Sequence, residues 1–270
     1  MEKPIKSDCH VHCGQYYEQY YQPASIVKAL YNNGIKNAWL SSTTSCIEWS
    51  NQEEKEYLIR HIDDEIEEAV LTANDLGLNL TPLYWVIPQR HIDGEIVEDV
   101  IRYSYYKGFK IHTKVGGWDK DTAFTRKLFN EVCFCAEKYH FPILIHTGMD
   151  IVDSPKRFEK YFSNYKNVKF VLAHCKNTDE IIDLFSKYNN VFGDTSFCPI
   201  ESYNKICEYG FSERMQSGTD FPIPHWIKAI KKEAFPDEEE LTLCYKKLYF
   251  AEDKNSVKRL RESGLTVESL

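Results

Sequence analysis

Long apolar runs are missing from this chain of 270 residues. No stretch of about 18 apolar residues occurs, so no transmembrane helix is expected. The opening residues, MEKPIKSDCHVHCG, also lack the apolar segment of a secretory signal. Positive charge is short: 33 Lys and Arg stand against 41 Asp and Glu, for a net charge of −8. Nucleic acids and anionic membranes both attract a basic face, so neither is expected as a partner. Absent too are the phosphate-cradling patterns GxGxxG and GxxxxGKS/T, which weakens the case for an open doubly wound nucleotide-binding sheet. No Pro/Gly/Ser-rich linker, low-complexity tract or repeat divides the chain, and a single domain over residues 1–270 is expected. The nine cysteines are odd in number and follow no framework. Without an export signal they read as reduced thiols of a cytoplasmic protein. Cys133 and Cys135 lie two apart on a predicted helix, where side chains do not face each other, and are read as packing residues.

What the chain does have is alternation between short apolar runs and amphipathic ones. Eight candidate strands are IKSDCHV (5–11), NAWLSS (37–42), LTPLYWV (80–86), FKIHT (109–113), PILIHT (142–147), VKFVLAH (168–174), VFGDTS (191–196) and RMQSGTD (214–220). Most lack polar alternation, as strands buried on both faces of a parallel sheet do. Between them PASIVKALYNNG opens on proline and closes on glycine, the order that brackets a helix. A longer acidic helix runs to a stop at Gly77. Further helices are expected at about 93–107, 122–140, 156–165, 178–189 and 201–209. Two more are expected in the tail after Asp220, parted near AEDKN. Strand–helix alternation implies right-handed crossovers, and eight such units predict an α/β chain folded as a (βα)8 TIM barrel with extra C-terminal helices.

In such a barrel the reacting groups collect at the C-terminal ends of the strands. Five of the nine histidines fall there: His10 and His12 on the first strand, His112 on the fourth, His146 on the fifth and His174 on the sixth. Asp220 ends the eighth. Residues two apart on a strand share a face, so Asp8, His10 and His12 point the same way. Paired imidazoles on one face hold transition metals. Apolar runs do not end repeatedly in histidine for packing reasons, and a metal site is expected.

The segments DCHVHCG, PILIHTG, VLAHC and SGTDFP, in this order, resemble the metal-dependent amidohydrolase superfamily, in its amidohydrolase 2 branch alongside aminocarboxymuconate-semialdehyde decarboxylase. The resemblance runs over about residues 5–226. It implies the barrel fold already read from the strand pattern. It also implies one divalent metal held by His10, His12, His146 and Asp220, with His174 beside the site. Three imidazoles and a carboxylate suit Zn2+, while Mn, Fe and Co remain open. A bound cation lowers the pKa of its water towards ~7. Asp220 and His174 are then the catalytic pair, one moving the proton and the other orienting the nucleophile or the carbonyl oxygen. The implied reaction is hydrolysis of an amide, ester or lactone in a small anionic molecule. Decarboxylation of an aromatic or unsaturated acid on the same site is the alternative.

Other positions stay open. Lys110 and His112 share a face and can attract an anion. Lys110 can instead be carboxylated to bridge two metals, or pair with a buried acid. Trp85, Trp118, Arg90 and Lys114, in the loops after strands three and four, suit a planar or carboxylate-bearing substrate. Asp8 either holds a ligand or caps the barrel floor, and Asp194 is read as a backbone partner. Cys9, Cys13 and Cys175 are read as packing residues. His61 and His140 are placed on helices, and His91 and His225 in loops as possible substrate contacts. The tyrosines of QYYEQYYQ (15–22) form a lid, a subunit contact in a homo-oligomer, or a solvated loop.

Overall fold

The computed structural model describes residues 6–229 and 236–249. Along the chain run β1 (Lys6–Tyr16), β2 (Gln19–Tyr21), α1 (Pro23–Asn32), β3 (Ile35–Ser42), α2 (Gln52–Leu76) and β4 (Asn79–Trp85). Then come α3 (Pro88–His91), α4 (Val97–Arg102), β5 (Gly108–Ile111), α5 (Ala123–Tyr139), β6 (Ile143–Ile145), α6 (Glu159–Asn164) and β7 (Phe170–Leu172). The remainder is α7 (Thr178–Lys187), β8 (Val191–Asp194), α8 (Ile200–Glu208), β9 (Met215–Gln216), α9 (Ile223–Ala229) and α10 (Glu238–Tyr249). They group into two compact units. One combines the residues up to Pro82 with those from Ser217 onward, and the other is Leu83–Gln216.

In the first unit β1 pairs in parallel with β3, and β3 with the start of β4 up to Pro82. The β1–β3 register shifts between Asp8 and Val11. Beyond His10 and His12 β1 continues into an antiparallel hairpin with β2, from Gly14↔Tyr21 to Tyr16↔Gln19. On its other edge the segment 217–221 lies along β1: Cys9 N donates to Ser217 O (2.8 Å), Asp220 N to His10 O (2.8 Å) and His12 N to Phe221 O (2.7 Å). These bonds bring Asp220 beside the two histidines. Helix α1 packs on α2 and α10, burying Ile26, Val27 and Leu30 with Leu241 and Tyr245. The expected bounds of α2 hold because both ends are capped. Asn51 Oδ1 accepts from Glu54 N (2.9 Å), and Gly77 takes the left-handed backbone at φ +67°.

In the second unit the end of β4 from Leu83, then β5, β6, β7, β8 and β9, pair in parallel in that order. The three residues of β6 and of β7 are all buried, as continuous apolar runs require. Helix α5 starts on a reciprocal cap in which Thr122 and Thr125 each satisfy the other's amide. The helix expected over about 93–107 is confined to Val97–Arg102, preceded by the short α3. Glu95 explains the break. Its carboxylate accepts from Arg90 Nε (2.6 Å) and its carbonyl faces His91 Nδ1 (2.7 Å), which holds the chain in a turn. Helix α6 is likewise shortened, its first turn being a 3-10 turn at Pro155–Phe158. The second helix expected in the tail lies outside the described residues. No helix among those described is long and apolar enough to cross a membrane.

Candidate functional site

In the first unit, His10 and His12 converge on one carboxylate oxygen. His10 Nε2 lies 3.3 Å and His12 Nε2 2.9 Å from Asp220 Oδ1. The three donor atoms sit within 4.8 Å of one another, and all three residues are buried. The period of two that predicted a shared face is realised. His12 is oriented by β3, since its Nδ1 faces Ser41 O (3.3 Å) and Ser41 Oγ (2.9 Å). A carbonyl only accepts, so with the hydrogen on Nδ1 the Ser41 contact leaves Nε2 a lone pair for a cation shared with Asp220. Two imidazole nitrogens and a carboxylate oxygen, close and buried, form a donor set that fits a divalent cation.

Asp8 stands behind this set. Its Oδ1 accepts from His10 N (3.1 Å) and Thr219 N (3.1 Å), and its Oδ2 from Thr219 Oγ1 (2.6 Å) and Tyr245 OH (2.8 Å). It therefore ties the backbone of one candidate ligand to the neighbour of another. Burial pushes its carboxyl up to about 7, although all four hydrogen bonds favour the ionised form. Asp220 adopts a left-handed backbone at φ +56°, which aims its carboxylate back at β1. Such a conformation costs a non-glycine residue on the order of 1–3 kcal/mol, and it recurs where function demands it.

The second unit gathers the other strand-end residues. His174, also left-handed at φ +72°, has its amide fixed by Asp194 Oδ1 (2.9 Å). The same oxygen accepts from Ser196 N (3.0 Å) and Ser196 Oγ (2.7 Å), so Asp194 serves backbone and a neighbouring hydroxyl as expected. His174 Nδ1 faces Ser196 O at 3.0 Å and Nε2 faces His146 Nδ1 at 3.0 Å. For neutral rings this chain of contacts has one solution. His174 donates to Ser196 O and accepts from His146 Nδ1–H, which leaves His146 Nε2 with its lone pair. His112 stacks on His146 (3.9 Å, 9°) and Trp85 on His112 (5.9 Å, 8°). The buried Lys110 places Nζ 5.5 Å over the Trp85 ring. Lys110, His112, Trp85, His146 and His174 thus form one packed group.

Trp118 has other neighbours. Its indole N–H donates to Val86 O (2.8 Å), and its ring meets Phe129 of α5 edge-on at 5.8 Å. It lines a cavity of about 460 Å³ with Phe158 and Tyr161. Arg90 is paired with Glu95, and Lys114 with Asp150 (2.7 Å) and Asp153 (2.6 Å). His91 and His225 lie in α3 and α9, not in loops. Both are buried, bonded to Tyr84 OH (3.0 Å) and Tyr21 OH (3.1 Å), as structural histidines are. His140 is the left-handed cap that ends α5. Cys9, Cys13, Cys133, Cys135 and Cys175 are buried, in keeping with packing roles. Sequence reasoning passed over Ser41, Ser196, Thr219 and Tyr245. Thr219 lies inside the SGTDFP motif, a usable signal, whereas Ser41 and Ser196 only sit at the ends of candidate strands and Tyr245 lies in a tail without a motif.

A family model described as amidohydrolase matches residues 62–243, about two thirds of the chain. The chain belongs to the amidohydrolase family. The matched span holds His146, His174 and Asp220 and begins after the His10/His12 pair. No curated protein matches the sequence. Among solved structures, the phosphotriesterase homology protein of Escherichia coli is similar over 97% of this chain and 92% of its own, at 14% identity and a TM-score of 0.61. A 2,6-dihydroxybenzoate decarboxylase is similar over 94% and 100%, at 11% identity and 0.52. A Tim-barrel protein of Bordetella bronchiseptica is similar over 92% and 98%, at 12% identity and 0.53. At these identities the likeness is one of fold. The family is metal-dependent, and its structural relatives include hydrolases and decarboxylases.

Proposed function

We propose that this chain is a metal-dependent hydrolase on a (βα)8 barrel, cleaving an amide, ester or lactone bond in a small anionic molecule. The observation that carries the reading is the convergence of His10 Nε2, His12 Nε2 and Asp220 Oδ1 at buried strand ends. These residues would hold the cation. When bound, it supplies Lewis-acid polarisation and water activation at neutral pH. Ser41 keeps His12 in the ligating tautomer, and Asp8 keeps the His10 backbone in place. Asp220 takes the proton of the attacking water and returns it to the leaving group. His146 and His174 keep the ligand and orienting roles that the resemblance gives them. The lone pair left on His146 Nε2 supports the first of these. Lys110 and His112 supply positive charge and hydrogen-bond donors for an acidic substrate group.

The test is elemental analysis of the purified chain, followed by assay of esters, lactones and amides before and after chelation. About one divalent ion per chain is expected, with hydrolysis lost on chelation and restored by Zn2+. Full activity without bound metal would end the proposal. Carbon dioxide release from aromatic acids, with no hydrolysis of any of these compounds, would replace it with the decarboxylase reading.

A further inference from the structure

Trp118, expected to meet the substrate, opens onto a different space. The cavity of about 460 Å³ that it lines is walled by four buried aromatic rings, those of Trp118, Phe129, Phe158 and Tyr161. No candidate metal ligand lines it, and neither do Trp85, Lys110, His112 or His174. Its size falls in the range of small-molecule pockets, roughly 300–1,000 Å³. The walls are fixed by bonds between the loop after β5 and the turns after β6. Thr113 Oγ1 donates to Asp153 Oδ1, and Lys114 Nζ lies 2.6 Å from Asp153 Oδ2 and 2.7 Å from Asp150 Oδ2. Arg157 closes the frame, with Nη2 donating to Trp118 O at 2.8 Å and Nη1 to Val152 O. The cavity is therefore preformed, as ligand pockets usually are.

The charges around it do not balance. Arg126 is matched by Asp121 at 3.1 Å. Arg157 is not matched, because both of its acceptors are neutral carbonyls and no carboxylate among the described residues pairs with it. A guanidinium carries five N–H donors, so three remain along with the full charge. Lys160 follows three positions later, which puts it on the same side of the turn as Arg157. Its Nζ lies 4.7 Å over the Tyr161 ring and has no carboxylate partner among the described residues. Against these two cations stands one further lining acid, the exposed Asp119.

We infer that this cavity is a second ligand site, separate from the proposed reaction centre, and that it takes a small amphiphilic oxoanion. The apolar body of that ligand lies against the four rings, and its phosphate or carboxylate head lies on Arg157 and Lys160. The free edge of a guanidinium matches two oxygens of such a head, and a neighbouring ammonium adds a second charge. Ile151, 89% exposed at the rim, offers the body further apolar surface. Aromatic rings also attract cations, but here a cation would face Arg157 and Lys160. The site needs no metal, so it stands whether or not His10, His12 and Asp220 hold one.

The test is calorimetric titration of the full chain with hexyl phosphate and heptanoate, and with inorganic phosphate and 1-hexanol as head and body alone. At least one of the two amphiphiles should bind about tenfold or more tightly than either fragment, and the tighter of them identifies the head. Arg157→Lys keeps the charge but loses the fork, and should weaken that binding about tenfold. Lys160→Gln should weaken it about threefold, and because Lys160 is exposed this variant carries the test if Arg157→Lys does not fold. Lys156→Gln is the charge-matched control. Lys156 pairs with Asp183 at 3.2 Å, does not line the cavity, and its loss should leave affinity unchanged. Titrations with and without one equivalent of Zn2+ should agree. No binding of either amphiphile, fragments that bind as tightly, undiminished affinity in Lys160→Gln, or an equal loss in Lys156→Gln overturns the inference. Binding that appears only with Zn2+ places the probe on the metal and overturns it too.

Discussion

Tyr245 offers the sharpest test of how the candidate site is supported. Its hydroxyl donates to Asp8 Oδ2 at 2.8 Å, and its ring is fully buried against Phe221 (5.2 Å, edge-on) and Tyr249 (5.6 Å, stacked). Tyr245→Phe keeps the ring and deletes only the hydroxyl, so apolar burial is unchanged. A hydrogen bond to a carboxylate contributes roughly 1.5–3 kcal/mol. Thr219 Oγ1 still donates to the same oxygen at 2.6 Å, so the lower end applies, about 1.5 kcal/mol. With a urea dependence of about 3 kcal/mol per M for a chain of this size, the unfolding midpoint should fall by ~0.5 M. Asp8 also holds the His10 amide, so loosening it should weaken Zn2+ binding about tenfold, the low end for an outer partner of a metal ligand. Tyr249→Phe is the control. Its hydroxyl donates to the Ser7 carbonyl at 3.1 Å and also meets the Ser217 side chain, but not Asp8, and its loss should cost about 0.5–1 kcal/mol with Zn2+ affinity unmoved. A Tyr245→Phe chain with wild-type midpoint and wild-type Zn2+ affinity would refute the chain of support from α10 to the site.

Three further outcomes can be checked. Gly14→Ala forces a side chain into left-handed backbone and against Thr44, Glu65 and Ser42, and should lose at least ~2 kcal/mol in chemical denaturation; an unchanged midpoint contradicts the packing. His140→Gly relieves the left-handed cap of α5, and thermal unfolding should show a gain of roughly 0.5–1 kcal/mol, a loss being the contrary result. Burial raises the Glu65 carboxyl above its ordinary 4.5, so the folded chain binds that proton more tightly than the unfolded one. The stability this group contributes is complete below about 4.5 and is lost as pH rises through the folded pKa. Glu65→Gln, which cannot ionise, should therefore gain on wild type as pH is raised from about 4.5, and a difference that stays flat across pH would remove Glu65 as the cause.

Much of this protein was legible without coordinates because the relevant signals are local. Alternation along β1 put His10 and His12 on one face, and apolar runs ending in histidine marked strand ends. Asn51 and Gly77 bracket α2 through bonds spanning three or four residues. The hairpin strand β2 escaped notice because three residues, QYY, are too few to show a period. The helix expected across Ile96 failed because Glu95 was captured by Arg90 and His91, a competition that propensity does not register.

Chemistry that depends on partners far apart in sequence belonged to the tertiary structure. Ser41, 29 positions from His12, orients its ring through Nδ1, and Tyr245, 237 positions from Asp8, steadies the carboxylate behind His10. Ser196, 22 positions from His174, fixes which nitrogen of His146 keeps its lone pair. The sequence determined which residues could serve as ligands, since strand period and side-chain chemistry are properties of a few neighbours. The fold decided how those ligands are oriented, because a hydrogen bond is made only where the topology brings a donor within about 3 Å of its acceptor.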